Sequence, residues 1–396
     1  MRFSLVILFV VGILVGVGYW RYSQPLPKVY AQELALEQPS STAIELPWPA
    51  YGQSALGAAG FGVLAVNKTT KPVPIASISK AITALAILQE KPLLPGQKGP
   101  VITATEEDVR LYRDYLAKDG SVLPLNAGER ATQYELLQAM MLPSANNIAD
   151  TAAKWAFGSV EAYTSYANKF VKDLGMSETT VADASGFSPR TTSTAKDLVV
   201  LGEAVLRNPV LAGIVKQKSA GFPGLDEKIR NVNWLLGTEG ILGIKTGNTD
   251  QAGGCYLFGV KRQVAGGRSV TVIGAVLGAP TRQIAMNDSL PLIRAADKGF
   301  ETAMAVRAGQ IVGRYNLPWG GSADAVVSSD FKILHWKGSR IEMIPSFKEL
   351  AVPAAENLIV GSVKVMRPDP LQDANTVPIK LRQAAPPPSW TWRLLR

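Results

Sequence analysis

Three short strings in this chain carry residue types that could do acyl-transfer chemistry: Ser77-Ile78-Ser79-Lys80, Ser144-Ala145-Asn146 and Lys245-Thr246-Gly247. A serine hydroxyl is a weak nucleophile until a base removes its proton. Ser77 precedes an apolar helical stretch, so Lys80, three positions on, shares its helix face. A helix N-terminus at Ser77 would favour negative charge developing on Oγ. Lys80 can act as the base only if its pKa is depressed, and burial and a second cation, Lys245, would both push it down. In the second string the alternating positions aim Ser144 and Asn146 at one place. Ser144 could pass a proton to a leaving amine, and Asn146 could hold Lys80 or a substrate amide. Lys245 and Thr246 offer a cation and a hydroxyl to a carboxylate. Gly247 would let a substrate backbone come close, and a free strand edge there could pair with an extended peptide.

Each string alone has a plainer reading. Ser-x-x-Lys also occurs at Ser193–Lys196 and Ser329–Lys332, and such short matches are common on solvated faces. Ser144-Ala145-Asn146 suits a helix-capping loop. A lysine on an edge strand guards against aggregation. Three strings in this order, each in suitable local structure, outweigh those readings together.

Composition removes several other chemistries. The one histidine, His335, cannot build a two-histidine metal site. It lies far from the strings, in the strand-like run Phe331–Lys337, where a packed or exposed strand histidine is expected. The one cysteine, Cys255, has no partner for an internal disulfide and sits in the apolar run Gly254–Phe258, a core position rather than a thiol nucleophile. The sequence holds no GxSxG elbow, P-loop or GxGxxG. The net charge of +9 comes from scattered Lys and Arg without a long basic run, so no nucleic-acid partner is expected. Mild attraction to anionic membrane or wall polymer fits the charge better.

The elements that must position these strings follow from hydrophobic period and breakers. Residues 3–20 are an almost unbroken apolar run between Arg2 and Arg21, ending in Tyr19-Trp20. That is near the length of a bilayer span, and the aromatic pair suits a membrane interface. An uncleaved signal anchor over 1–21 is the first reading and a cleaved signal peptide the second. Prolines 25, 27, 39, 47 and 49 make 22–49 an extended stalk. Helices are expected over 81–89, 134–141, 160–174, 196–207 and 284–305, and strands over 60–67, 254–262 and 269–277. Helices around a hairpin sheet indicate a mixed α/β (α+β) catalytic domain over 50–305. From about 306 the pattern changes to short strands separated by turn residues, at 333–336, 340–344, 362–366 and 376–381, which reads as a small C-terminal all-β domain over 306–396. The last residues, 390–396, are too short to read as an amphipathic anchor.

With these strings in place, the sequence resembles the serine-type D-Ala-D-Ala carboxypeptidases, the low-molecular-mass penicillin-binding proteins, from about residue 50 to 305. The likeness is carried by Ala76–Lys80, Leu142–Asn147, Asp183–Pro189 and Gly243–Asp250. It implies a penicillin-binding, β-lactamase-like fold with an antiparallel sheet flanked by helices, and the β-domain fits the same family. It implies Ser77 as acyl-enzyme nucleophile, Lys80 as its base, and Lys245 with Thr246 and Gly247 as the substrate strand. Ser144 and Asn146 match the family's second motif. The oxyanion hole would use the Ser77 N–H and a second donor near Thr249. No metal or organic cofactor is implied. Partners would be peptidoglycan stem peptides, β-lactams as covalent inhibitors, and a membrane through the N-terminal segment, with the catalytic part exported to the extracytoplasmic face. A polar substrate contact from Asn231-Val232-Asn233 is left open. No Glu-x-x-x-Asn element of the kind that deacylates class A β-lactamases is evident. The expected activity is release of the terminal D-alanine of stem peptides. The alternatives are a D,D-endopeptidase of the same fold and a non-catalytic wall-binding protein.

Overall fold

The Ala/Leu/Ile run that follows Lys80 has no glycine or proline to interrupt it. It forms helix α1 (Ser79–Glu90), buried from Ser79 to Leu88. A helix apolar on every side belongs in a core, and α1 sits in the helical layer of the larger unit. The computed structural model describes residues 2–39, 41–68, 71–367 and 375–396. It divides into two compact units, one of residues 43–301 and one of 1–42 with 302–396.

In the larger unit, α2 (Glu106–Leu116) and α3 (Gln133–Met141) each start with a capping box, Thr105 with Asp108 and Thr132 with Glu135. Such reciprocal bonds satisfy the first orphan N–H groups and fix where a helix begins. Helix α4 (Asn146–Phe157) packs against α1, α2, α3 and α5 (Val160–Asp173). The helical layer meets a five-stranded sheet in the order β3-β4-β5-β1-β2, with β1 Gln53–Ala58, β2 Gly62–Asn67, β3 Ile241–Thr249, β4 Gly253–Val264 and β5 Arg268–Ala279. All neighbours are antiparallel. Helix α6 (Ala195–Arg207) packs on β1, β2, β4 and β5, and α7 (Arg282–Ala296) packs on β3, β4 and β5. With helices on the sheet, β4 is buried without a break from Gly254 to Val260. The strand β3, which carries Lys245-Thr246-Gly247, is the outermost strand on its side.

Helix α7 is shorter than its sequence pattern. It ends at Ala296, and Phe300–Val306 turns to strand after a 3₁₀ turn at 297–299. The β-favouring run Phe300-Glu301-Thr302 after Gly299 overrides the helical pattern of the preceding residues.

The smaller unit is built on a six-stranded antiparallel sheet. From one edge it runs Ala31–Glu33, β6 (Ile311–Asn316), β7 (Ser322–Val327), β10 (Asn375–Leu381), β9 (Ile359–Met366) and β8 (Glu342–Phe347). Its core gathers Val29, Val312, Tyr315, Val363, Val365, Ile379 and Leu381. Within the proline-punctuated segment, Ala31–Glu33 pairs with β6, Ala31 opposite Tyr315. An apolar helix, Arg2–Ser23, precedes it. Its stretch Leu5–Ser23 has a mean hydropathy of 1.9, and none of it is buried.

Candidate active site

Ser77 lies in a one-turn 3₁₀ helix, Ala76–Ile78, that runs straight into α1. The residue before it, Ala76, has φ +46°, a left-handed backbone that costs a non-glycine residue on the order of 1 kcal/mol or more and persists only where packing enforces it. Two glycines enforce it here. A Cβ on Gly186, itself at φ +75°, would stand 1.9 Å from the Ala76 carbonyl oxygen. A Cβ on Gly247 would stand 2.9 Å from Ile75 O and 3.1 Å from Ser77 N. Gly247 is therefore glycine because the serine turn presses against β3.

Lys80 is fully buried. Its Nζ reaches Ser77 Oγ at 2.8 Å, Asn146 Oδ1 at 2.7 Å and the Ser185 carbonyl oxygen at 2.8 Å. Asn146 is the first residue of α4, and its N–H donates to Ser121 O at 2.7 Å. Burial pushes the Lys80 ammonium down to about 7, while Asp183 and Asp150 pull the other way. The second string forms a second pair: Lys245, 2 % exposed, donates to Ser144 Oγ at 2.9 Å and to Thr246 O at 3.1 Å. Ser144 sits on the turn between α3 and α4 with φ +69°. Burial, and after it the charges of Lys80 and Arg282, push Lys245 well below the ordinary lysine range.

At Lys80 burial is the main cause of the lowering, and two carboxylates oppose it. Lys245 has cations as its charged neighbours, Lys80 and Arg282. Repulsion between two cations is mutual, so each lysine disfavours the ammonium form of the other.

Ser77, Ser144, Thr246, Gly247 and Arg282 line one cavity of about 400 Å³. The Thr246 hydroxyl is buried and has no hydrogen-bond partner among the described residues. An orphaned hydroxyl in a cavity that an arginine also lines suits an anionic guest oxygen. Thr249 is not among that cavity's lining. It borders the neighbouring one, and its Oγ1 accepts the Ala252 N–H at 3.2 Å. Asn231 and Asn233 serve the frame: Asn231 Nδ2 donates to Gln217 O at 2.9 Å, and Tyr256 Oη donates to Asn233 Oδ1 at 3.3 Å. The two other Ser-x-x-Lys matches hold no such pair. Ser193 is buried against Thr179 at 2.7 Å while Lys196 is exposed, and Ser329 and Lys332 are both exposed. Burial pushes the Cys255 thiol up to about 12, which keeps it protonated and inert. His335 is buried in the smaller unit.

The family model described as D-alanyl-D-alanine carboxypeptidase matches residues 57–281, which include all three strings. The chain belongs to that family. It is 25% identical over 297 residues to the D-alanyl-D-alanine carboxypeptidase DacA of Escherichia coli, covering 73% of this chain and 72% of that one. It is 29% identical over 206 residues to an E. coli D-alanyl-D-alanine endopeptidase, covering 50% of this chain and 62% of that one. Among solved structures, penicillin-binding protein 5 of Haemophilus influenzae superposes with a TM-score of 0.60 at 21% identity, over 89% of this chain and all of that one. These likenesses place the antiparallel sheet, its flanking helices and the C-terminal β-unit in a penicillin-binding fold. As a member of this carboxypeptidase family the chain is a peptide hydrolase.

Sequence reading missed Arg282, Asp150, Tyr115 and the Ser185 carbonyl. Arg282 opens α7 directly after its N-cap Thr281, and nothing in the sequence ties that turn to Thr246. Asp150 did carry a signal, since it lies one helical turn beyond Asn146 and so on the same face.

Proposed function

We propose that this chain is a membrane-tethered D,D-carboxypeptidase that releases the terminal D-alanine of peptidoglycan stem peptides through an acyl-Ser77 intermediate. The observation that carries this reading is the set of partners around Lys80. Two of its three neighbours, Asn146 Oδ1 and Ser185 O, are carbonyl oxygens and can only accept. A neutral Lys80 amine gives its two protons to them, and its lone pair is left facing the Ser77 hydroxyl. With the ammonium held near neutral pH by burial, that amine is available where the enzyme works.

In the acylation step Lys80 Nζ takes the Ser77 proton while Oγ attacks the carbonyl carbon of the D-Ala-D-Ala bond. The oxyanion that forms faces the Ser77 N–H and the β3 backbone, whose second donor we place near Thr249. As the tetrahedral adduct collapses, the C–N bond breaks and the leaving amine takes a proton from Ser144 Oγ. That hydroxyl accepts from Lys245, so its own hydrogen is free to be donated. Lys80 returns its proton through the same hydroxyl. Water then attacks the acyl-Ser77 ester while Lys80 Nζ takes its proton; the acyl C–Oγ bond breaks, and Ser77 Oγ takes that proton from Lys80. The substrate's terminal carboxylate is held by Thr246 Oγ1 and Arg282, its charge favouring the ammonium form of the nearby Lys245, and its backbone pairs with the free edge of β3. A β-lactam enters the same site and acylates Ser77. The exposed apolar helix anchors the chain, and the larger unit acts on the extracytoplasmic side.

A fluorescent penicillin tests the reading. The wild-type chain is expected to become covalently labelled and Ser77→Ala to stay dark with an unchanged circular dichroism spectrum. Labelling of Ser77→Ala would move the nucleophile elsewhere. Product analysis on a pentapeptide and on a cross-linked muropeptide dimer separates carboxypeptidase from endopeptidase.

A further inference from the structure

Behind Lys80, on the side away from the substrate cavity, lies a second polar layer that the proposed reaction does not use. Asp150, on α4, is 6 % exposed. Its Oδ2 accepts the Tyr115 hydroxyl at 2.8 Å, and its Oδ1 is buried without a partner among the described residues. The Tyr115 oxygen also lies 3.2 Å from Ser185 Oγ, and Ser185 is the residue whose carbonyl holds Lys80 Nζ. Asp183, the other carboxylate of this layer, is differently placed. It accepts from Ser185 Oγ, the Phe187 and Ser188 N–H groups and Thr191 Oγ1, at 2.5 to 3.2 Å. Four donors hold Asp183 in place. A single donor leaves Asp150 free to change state. A cavity of about 250 Å³, lined by Leu111, Asp114, Tyr115, Lys118, Asp150 and Asp183 among others, gives this layer its own opening.

We propose that Asp150 is a positioning residue that sets the charge of Lys80 from the rear, through Tyr115 and Ser185, and exchanges its proton through this rear cavity while substrate fills the front one. The inference rests on Lys80 being the base of the proposed reaction. The groups that face Asp150 are Tyr115 from α2, Lys80 from α1, Asp183 from the loop before α6 and Lys154 from its own helix. Asp114 and Lys118 stand in the same cavity, and Lys154 is ion-paired with Glu107. Burial pushes the Asp150 carboxyl up to about 6, next to the range of Lys80, so small changes at one site tell on the other. A charged Asp150 favours the Lys80 ammonium. Losing that charge lowers the Lys80 pKa and makes its amine a weaker base.

The test is the pH profile of acylation by a fluorescent penicillin, with the full chain in detergent. For wild type the second-order rate rises with pH through the free-enzyme pKa of Lys80. Asp150→Asn keeps an acceptor for Tyr115, and its acid limb is expected to move down by about half a pH unit or more, with a lower plateau. Tyr115→Phe strips Asp150 of its donor, so the carboxyl protonates more readily and the limb moves the same way by a smaller step. A plateau that falls in both folded variants while the limb stays put would mean a structural role and overturn the inference. If Asp150→Asn fails to fold, Tyr115→Phe decides alone. Wild-type protein that takes no label at any pH would sink the proposed function, whereas wild-type labelling with an unmoved limb sinks only this inference.

Discussion

The site contains two serine–lysine pairs that share their chemistry and differ in their surroundings. Ser77 and Lys80 are neighbours on one helical turn; Ser144 and Lys245 come from positions 101 apart in sequence. Both lysines are buried. Lys80 is backed by carboxylates, Asp183 and Asp150. Lys245 faces cations only, Lys80 and Arg282. Burial disfavours both ammonium forms, but carboxylates return part of that cost at Lys80 and leave its pKa poised near 7. At Lys245 nothing returns it. The same residue type is thus a switchable base in one pair and, in the other, a hydrogen-bond donor whose ammonium form waits on an anion in the site. Electrostatic surroundings, more than the identity of the side chain, divide the labour.

The comparison breaks most sharply at Lys80→Arg. The guanidinium keeps the charge and cannot give it up, because its pKa stays above about 12, so no lone pair ever meets the Ser77 hydroxyl. Loss of general-base help typically costs ~100- to 10,000-fold, and the acylation rate with penicillin is expected to fall by that order while circular dichroism stays unchanged. A near-native rate would hand the base role to the other pair, Lys245 with Ser144. The wild-type profile sharpens the same point. Acylation should climb as pH rises through about 7, where Lys80 loses its proton, and a profile flat from pH 5 to 9 would show that Lys80 is not the titrating group.

The two pairs also differ in how far they could be read from sequence. Ser77 and Lys80 were legible because three-residue spacing on a helix is a local fact. The Ser144–Lys245 contact was legible only as two strings awaiting a fold to join them. The mixed α/β architecture was visible in the hydrophobic periods, although the strand at Phe300–Val306 was hidden in a helical-looking run. Ser185 and Arg282 reach the site through the loop before α6 and a turn after β5, and no short-range pattern encodes those contacts, whereas Asp150 could be read as sharing the Asn146 face of α4. The three-residue strand Ala31–Glu33 is equally invisible, since its pairing with β6 depends on residues nearly 300 positions away.

A smaller effect is expected where β3 meets the Ser77 turn. In Gly247→Ala the new methyl would stand 2.9 Å from Ile75 O and 3.1 Å from Ser77 N. The listing of the turn away from β3 would move Ser77 relative to Lys80 and Thr246. Misplacement of a reacting group by about 1 Å can cost ~100-fold, so acylation should drop by roughly 10- to 100-fold with labelling still detectable. An unaltered rate would mean that the turn has slack and that glycine there serves another purpose.

The smallest effect tests whether the comparison is confined to one unit. Every residue in both pairs, together with Asp150, Asp183, Ser185 and Arg282, falls within the unit of residues 43–301. That unit has its own core, from Ala55 through Ile82 and Leu137 to Leu277, and a separate core serves the smaller unit. A unit with its own core can fold alone. A chain of residues 43–301 is therefore expected to fold, to remain in solution without detergent because the apolar helix is gone, and to acylate with penicillin at the rate of the full chain. The measurement is the labelling rate of both proteins side by side with a thermal melt of each. A truncated chain that melts cooperatively yet labels slowly would show that residues beyond 301, or before 43, shape the Ser77 cavity, and the contrast between the two lysines would then have to be traced into the smaller unit as well.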